Sequence, residues 1–329
     1  MSFLSTVSLI IAITLSFNML GSVFEPVRFW SRVLVFIVTL SFCASYGVVT
    51  SIILSLLGKR SLCQWVAGRA FSTVAGPLLG LKFEVENEDT LKNTRPAILV
   101  ANHQTELDVL ILGRLFPRHC SVTAKSSLKY VPFLGWFMLF SGTVFVDRGN
   151  RGKAIKALDG AIADMKKAQQ SVFIFPEGTR SYSTTPNLLP FKRGAFHLAL
   201  QSGFPIIPVV VGNYSHLYSP KNRRFESGAF KIKVLDKIDM TGRSAEDLDE
   251  LIANTRSEML KVLKEISPAV PAVADVDDEN TQLLSAENSV VGDTASSLKR
   301  TSTDTDASAV LGNTAVTTPG DQSKVFELQ

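Results

Sequence analysis

The sequence predicts an α/β protein, with membrane helices at the N-terminus, a sheet covered by helices in the middle and a disordered tail. Three observations support this organisation. The first sixty residues carry few charges. In the middle of the chain, short apolar segments typical of strands alternate with segments whose apolar residues recur at helical spacing. The last sixty residues are acidic and poor in aromatic side chains. Alternation of strands and helices favours a sheet covered by helices, with functional residues in loops at the strand ends.

The composition excludes several function classes. Of the 329 residues, 46% are hydrophobic and 19% charged, and the mean hydropathy is +0.19, which points to lipid-facing segments. Three cysteines and four histidines argue against a disulfide framework, a cysteine-based zinc site and a histidine-rich metal centre. The GxxxxGK[ST] loop of P-loop nucleotide-binding proteins is absent.

Charge is distributed unevenly along the chain. The formal net charge is +4, but residues 271–329 carry ten acidic and three basic residues, so residues 1–270 carry +11. A basic body favours acidic partners such as phosphate groups or anionic lipids. The tail has 15 serines and threonines and almost no aromatic residues. It cannot bury enough apolar surface to offset the entropy of ordering, so 271–329 is predicted to be disordered.

Two apolar runs within residues 1–60 predict membrane-anchoring helices ahead of a domain at 61–270. No charged residue precedes Glu25, and residues 3–24 form the first run. The second run, 33–57, has 25 residues without a charge. As a helix it would be about 37 Å long, against roughly 30 Å of hydrocarbon in a bilayer.

The first run is also compatible with a cleaved signal peptide, although it lacks the N-terminal positive charge typical of one. In that case 33–57 would remain as an anchor. Lys59, Arg60 and Arg69 follow the second run, and this weak positive bias places the following domain on the cytosolic side.

The middle of the chain alternates between predicted strands and predicted helices. Strands are predicted at 97–101, 121–124, 143–146, 171–175, 206–211 and 230–234. Helices are predicted at 107–116, 150–170 and 195–200, and from Ser244 to a stop before Pro268. Asp247, three residues after Ser244, is the expected capping-box partner of the last helix.

A third apolar run, 130–146, is too short and interrupted for a confident membrane span. Pro132, Gly135 and Gly142 break it. The run therefore predicts either an interfacial or re-entrant patch or buried core elements.

The first candidate for a catalytic site is segment 102–108, with the sequence NHQTELD. It directly follows the strand predicted at 97–101, which puts His103 in a loop at a strand end. His103 and Asp108 can meet only if the histidine lies in this turn and the aspartate in the first helical turn. The carboxylate would then hold one ring nitrogen and leave the other as a base.

Simpler interpretations of the same segment remain open. Asp108 can complete a helix cap with Thr105, favoured by the helix dipole, and His103 can be an ordinary turn residue. A zinc site built on His103 and Glu106 is disfavoured because further ligands are lacking.

The second candidate segment is 175–180, with the sequence FPEGTR, which follows the strand predicted at 171–175. Its Pro-Glu-Gly turn brings backbone N–H groups, the Thr179 hydroxyl and the Arg180 guanidinium together, a set that suits a phosphate. The alternative is an ordinary turn with a solvated Glu–Arg pair. Nearby basic residues favour the phosphate: Lys125, Lys129, Arg148, Lys192 and Arg193.

Four short blocks occur in order along the middle of the chain. They are Asn102-His103-x4-Asp108, Gly142-x-x-Phe145-Val146-Asp147-Arg148, Phe175-Pro176-Glu177-Gly178-Thr179-Arg180 and Ile206-Ile207-Pro208-Val209. The series resembles the glycerolipid acyltransferase family, and most of all its eukaryotic, fungal-type 1-acyl-sn-glycerol-3-phosphate acyltransferases, over roughly 81–238. The resemblance implies an α/β fold with a mixed sheet covered by helices.

The resemblance also implies a reaction and residue roles. A fatty acyl group would pass from acyl-CoA to the 2-hydroxyl of lysophosphatidic acid, giving phosphatidic acid. His103 would remove the hydroxyl proton and Asp108 would orient the imidazole, without a covalent acyl-enzyme. Segment 130–140 would be a route for an acyl chain. The residues implied to bind the phosphate are Glu177, Gly178, Thr179, Arg180, Arg148 and Lys125.

The implied setting is a membrane. Acyl-CoA is expected as co-substrate, with no cofactor and no metal, and the endoplasmic reticulum membrane as the location, with lipid droplets as a second. Anionic lipid explains the +11 charge of residues 1–270 better than nucleic acid does, because no nucleic-acid-binding module is evident. Three alternatives stay open: another acceptor such as lysophosphatidylinositol, a lysophospholipid hydrolase, and an inactive membrane scaffold.

Overall fold

The computed structural model describes residues 25–146 and 165–268, together with residues 16, 21, 162 and 163. Almost all of the first apolar run, most of the helix predicted at 150–170, Arg148 and the acidic tail lie outside the described residues. The domain limits at 60 and 270 therefore stay predictions.

A mixed sheet of seven strands lies at the centre of the described part of the chain. The strands are β1 (Leu81–Glu86), β2 (Ile98–Ala101), β3 (Cys120–Lys125), β4 (Val144–Val146), β5 (Ser171–Ile174), β6 (Ile206–Val211) and β9 (Gly228–Val234), with β7 (Tyr218–Ser219) and β8 (Arg224–Phe225) forming a separate hairpin. The order is β1-β9-β6-β2-β5-β3-β4, and all neighbours are parallel except β6 and β9. The predicted mixed α/β fold is confirmed.

Helices cover both faces of this sheet. They are α1 (Glu25–Leu56), α2 (Cys63–Leu78), α3 (Glu88–Asn93), α4 (Asp108–Leu115), α5 (Leu134–Phe140), α6 (Gly194–Ser202) and α7 (Leu248–Ile266), with short 3₁₀ turns at Arg60–Leu62 and Ser126–Tyr130. Leu99 and Ala101 of β2 pack with α2 and α4, whereas Ile98 and Val100 pack with α6 and α7. This two-sided burial explains why the central strands β2 and β6 are continuous apolar runs in the sequence.

Local residues mark the end of α6 and the start of α7. Gly203 follows α6 with φ +73°, a left-handed conformation that glycine adopts readily and that ends many helices. The last helix begins at Leu248 rather than at Ser244. Ser244 donates from its backbone N–H and its hydroxyl to Asp247, so these residues form a turn before α7. The predicted capping box is wrong, because Asp247 is itself the N-cap residue and makes no side-chain cap hydrogen bond.

Helix α1 is longer than predicted, because the link expected at 25–32 is helical. Within the described residues, Val27–Leu56 is the one helix that is long and apolar enough to cross a membrane. In its most apolar stretch of 18 residues, 33% is buried in the protein. It packs against α2 and α5. Its other face exposes large apolar side chains: Trp30, Ile37, Phe42, Tyr46, Val49, Ile52, Ile53 and Leu56.

The third apolar run is half core and half surface. Gly135 and Met138 of α5 are buried, while Tyr130, Phe133 and Trp136 are exposed. The buried side chains agree with the core interpretation, and the interfacial or re-entrant interpretation stays a prediction.

The sheet topology decides where the loops meet. Strands β6, β2, β5, β3 and β4 all run in the same direction, so their carboxyl ends lie along one edge. The loops after β2, β5 and β6 are therefore neighbours at that edge, although more than a hundred residues separate the first from the last along the chain. In open α/β sheets this edge is where ligands bind.

Helices α2 and α4 approach closely where Gly68 and Gly113 face each other, since a Cβ added at Gly113 would lie 2.3 Å from the Gly68 carbonyl oxygen. We expect Gly113→Ala to lower the thermal unfolding midpoint in detergent by about 3–10 °C, because the helices must move apart. Ser257→Ala, at an exposed position of α7, is the control. An unchanged midpoint for Gly113→Ala would show that the contact is looser than described.

Candidate active site

The loop after β2 is attached to the end of β6 by side chains. The Asn102 amide donates to the Val211 carbonyl oxygen at 2.9 Å and accepts from the Val211 N–H at 2.8 Å. Gln104 donates to the carbonyl oxygens of Val211 and Gly212, both at 3.0 Å. These bonds extend the β2–β6 pairing past the last strand residues and fix the loop that carries His103.

His103 and Asp108 form a close pair at this loop. His103 lies in the turn, Asp108 is the first residue of α4, and His103 Nδ1 lies 2.6 Å from Asp108 Oδ2. The side chains are 14% and 3% exposed. Because a carboxylate only accepts, Nδ1 is the donor in this pair, and in the neutral imidazole Nε2 is then the nitrogen with the free lone pair. Among the described residues Nε2 has no hydrogen-bond partner.

The Asp108 carboxylate binds more than the imidazole. Its Oδ2 also accepts from the backbone N–H groups of Gln104 at 2.6 Å and Thr105 at 3.2 Å. Its Oδ1 accepts from the Tyr214 hydroxyl at 2.7 Å. The carboxylate thus bonds both to the imidazole and to the backbone of the turn that precedes α4.

Tyr214 follows β6 and was not predicted as a site residue. Its hydroxyl accepts from the Thr105 N–H at 3.1 Å while it donates to Asp108. Burial raises the pKa of Tyr214 well above its ordinary value, so the phenol stays a donor. The only sequence signal was its place directly after the Ile206–Val211 strand, at the same edge as His103.

Phe175 supports the imidazole from one side. Its ring stacks on the His103 ring with centroids 4.0 Å apart and an interplanar angle of 14°. The sequence marked Phe175 only as part of the second candidate segment. With Asp108 holding Nδ1 and Phe175 covering one face, the ring has little freedom to rotate.

Glu177 has a different place from the one expected. The resemblance implied that it contacts the phosphate, but it is 3% exposed and does not line the cavity described below. Its Oε1 accepts from the His103 N–H at 2.7 Å and its Oε2 from the Leu189 N–H at 3.0 Å. Glu177 therefore ties the loop after β5 to the His103 loop.

Of the other expected phosphate contacts, Thr179 and Arg180 line the cavity beside His103, and Lys125 lines it from the exposed end of β3. Gly178 takes φ +71°, and a Cβ there would lie 2.9 Å from the Lys192 side chain, so glycine keeps this turn compact.

A cavity of about 600 Å³ extends from His103 between the helices. Its polar end is formed by His103, Thr179, Arg180 and Tyr182. The rest is mainly apolar and is lined from α1, α2, α4 and α5, by residues that include Leu40, Cys43, Phe71, Leu112, Phe116 and Phe137. The volume and the mix of apolar walls with a few polar groups are typical of a ligand site.

The described residues offer no metal centre. Within 25–146 and 165–268, no group of three or more His, Cys, Asp or Glu side chains is arranged to hold a metal ion.

Comparison with known proteins places this geometry in a family. The family model named Acyltransferase matches residues 82–212. The 1-acyl-sn-glycerol-3-phosphate acyltransferase of Saccharomyces cerevisiae is 45% identical over 251 residues, covering 76% of this chain and 82% of the yeast protein. The chain belongs to this acyltransferase family.

One further relative and one solved structure are also similar to the chain. The human 1-acyl-sn-glycerol-3-phosphate acyltransferase alpha is 36% identical over 190 residues, which are 58% of this acyltransferase and 66% of the human protein. The crystal structure of PlsC, the 1-acyl-sn-glycerophosphate acyltransferase of Thermotoga maritima, matches with a TM-score of 0.60 at 23% identity, over 75% of this chain and all of that one. The latter likeness shows the common fold.

The contribution of Glu177 to stability should fall as the pH rises. Burial is the main cause that raises the pKa of Glu177 above its ordinary 4.5, so folding favours the protonated carboxyl. The contribution is fully present below the unfolded pKa and is lost as the pH rises through the raised one. The difference in thermal unfolding midpoint between the wild type and Glu177→Gln should therefore become smaller as the pH rises above the ordinary 4.5 and through the raised pKa.

The control is Glu258→Gln, which changes the same charge at an exposed position of α7. Subtracting its pH profile removes the general effect of losing one carboxylate. A Glu177→Gln gap that widens with rising pH contradicts the expected direction.

Proposed function

We propose that this acyltransferase moves a fatty acyl group from acyl-CoA to the sn-2 hydroxyl of lysophosphatidic acid and forms phosphatidic acid. The observation that carries the proposal is the His103–Asp108 pair, 2.6 Å apart, at the polar end of an apolar cavity that Arg180 also lines. The similarity to enzymes named for this substrate supports the choice of acceptor.

In this proposal His103 is the general base. Its Nε2 removes the proton of the 2-hydroxyl while that oxygen attacks the thioester carbonyl, and Asp108 stabilises the imidazolium that forms. The tetrahedral intermediate then collapses, the carbon–sulfur bond breaks, and the imidazolium returns its proton to the departing CoA thiolate. The acyl group passes directly between substrates, and no cofactor or metal takes part.

The acceptor phosphate is assigned to the loop after β5. Arg180 supplies a planar fork that fits phosphate oxygens, and the Thr179 hydroxyl lies beside it on the cavity wall. Gly178 contributes the turn that lets the loop adopt this shape, while Lys125 and Arg148 are proposed as further cationic contacts. Glu177 is proposed as the anchor of the loop rather than as a ligand, because both its oxygens are bonded to backbone N–H groups.

The apolar part of the cavity is proposed to hold an acyl chain. Its walls come from the α1 face that packs on the domain and from α5, whose Phe137 and Met138 contribute directly. This keeps the role expected for segment 130–140 and gives an acyl chain a dry path towards His103. Burying methylene groups here would supply about 0.8 kcal/mol each.

A membrane surface is the proposed setting. Residues 1–60 would anchor the chain, with the exposed apolar face of α1 and the aromatic side chains Tyr130, Phe133 and Trp136 in contact with lipid. The proposed location is the endoplasmic reticulum membrane, with the domain at 61–270 facing the cytosol. Lipid droplets are proposed as a second location. Membrane lipids and acyl-CoA are the proposed partners.

His103→Ala should lower the rate of phosphatidic acid formation by about 10²–10⁴-fold, because the hydroxyl loses its base. The measurement is transfer of labelled acyl groups by purified protein in lipid. His197→Ala, at an exposed position of α6, is the matched control and should behave like the wild type. Wild-type turnover by His103→Ala would refute the base role, and label released as free fatty acid would favour a hydrolase.

Arg180→Ala should raise the KM for lysophosphatidic acid by roughly 10–100-fold while the KM for acyl-CoA stays nearly constant, because a charge-assisted contact with the phosphate is lost. Arg243→Ala, an exposed arginine in the loop before α7, controls for the loss of one positive charge. Equal rates with lysophosphatidylinositol and lysophosphatidic acid would point to the broader acceptor range.

A further inference from the structure

Glu106 lies in the His103 loop and contacts the residue assigned to the acceptor phosphate. Its Oε1 accepts from Arg180 Nη1 at 2.8 Å and from the Tyr182 hydroxyl. Arg180 Nη1 also donates to the Tyr182 hydroxyl at 3.1 Å. The three side chains thus form a closed hydrogen-bonded triangle between the loop after β2 and the loop after β5.

The triangle occupies one end of the guanidinium and leaves the other free. In the described part of the chain, only Nη1 of Arg180 has hydrogen-bond partners, and the edge made by Nε and Nη2 has none. That edge carries two parallel N–H groups, the arrangement that binds two oxygens of one phosphate. Arg180 and Tyr182 line the cavity, whereas Glu106 does not, so the carboxylate stands behind the guanidinium as seen from the cavity.

The surroundings hold Glu106 in this place. Its second oxygen, Oε2, is buried and accepts no hydrogen bond from Arg180 or Tyr182. Tyr218 lies near, and burial, together with the negative charge of Glu106, raises the pKa of Tyr218 to about 12. Burying a carboxylate is costly, and the two bonds that Oε1 accepts from Arg180 and Tyr182 offset part of that cost.

We infer that Glu106 is a positioning residue for the acceptor phosphate: it holds Nη1 of Arg180 from behind, so that the Nε–Nη2 edge faces the phosphate. This inference rests on the proposed function. An arginine released from Glu106 would sample several rotamers and would have to be ordered by each incoming acceptor, at the expense of affinity. Glu106 therefore acts on acceptor binding through Arg180 and leaves the proton transfer at His103 unchanged.

The test is a double-mutant cycle in the full-length protein, with KM and kcat measured for lysophosphatidic acid and acyl-CoA. Glu106→Met removes both acceptor oxygens at similar size, and Glu106→Gln keeps one acceptor for Nη1. Glu106→Met should raise the KM for lysophosphatidic acid about tenfold, with kcat and the KM for acyl-CoA within about twofold of the wild type. Glu106→Gln should restore most of the affinity.

The cycle separates positioning from a merely structural role. Arg180→Lys keeps the charge but removes the planar fork, so adding Glu106→Met to it should change the KM for lysophosphatidic acid by less than about twofold. The inference is overturned if Glu106→Met changes the KM for lysophosphatidic acid equally with and without Arg180→Lys. It is also overturned if Glu106→Met lowers only kcat.

The same measurements distinguish this inference from the proposed function. A wild-type protein that forms no phosphatidic acid overturns the proposed function and the inference together. An active wild type in which Glu106 and Arg180 act independently overturns the inference alone.

Discussion

The Asp108 carboxylate is the interaction on which the rest of the site depends. One oxygen accepts from the His103 ring and from two backbone N–H groups, and the other accepts from the Tyr214 hydroxyl. Four donors on a side chain that is 3% exposed offset the cost of burying its charge. The same bonds orient the imidazole, shape the loop after β2 and attach that loop to the segment after β6.

The parallel part of the sheet makes this convergence possible. Because β6, β2 and β5 are neighbours running in one direction, their following loops meet without long excursions of the chain. Side chains then connect neighbouring loops. Asn102, in the loop after β2, pairs with the end of β6, and Glu177, in the loop after β5, accepts from the His103 N–H. A rigid loop matters because small displacements of a base reduce the rate steeply.

The cavity joins a polar and an apolar environment. Its polar end contains His103 and Arg180, and its remaining walls come from apolar helices, including the long N-terminal helix α1. Since α1 contributes both to the cavity wall and to an exposed apolar surface, the helix that would anchor the protein also shapes the proposed acyl site. In the proposed function, membrane attachment and acyl-chain binding would therefore both depend on α1.

The sequence alone predicted the buried strands, since apolar runs such as Ile206–Val211 are buried on both faces, but it did not predict the edge strand β1. It also predicted that His103 and Asp108 can pair, because they are only five residues apart. Its limits lay in contacts between distant residues. Tyr214 bonds to Asp108 across 106 positions, and Glu177 reaches the His103 backbone across 74. Only the order of the strands brings such residues together, because short-range periodicity carries no information about which loops become neighbours.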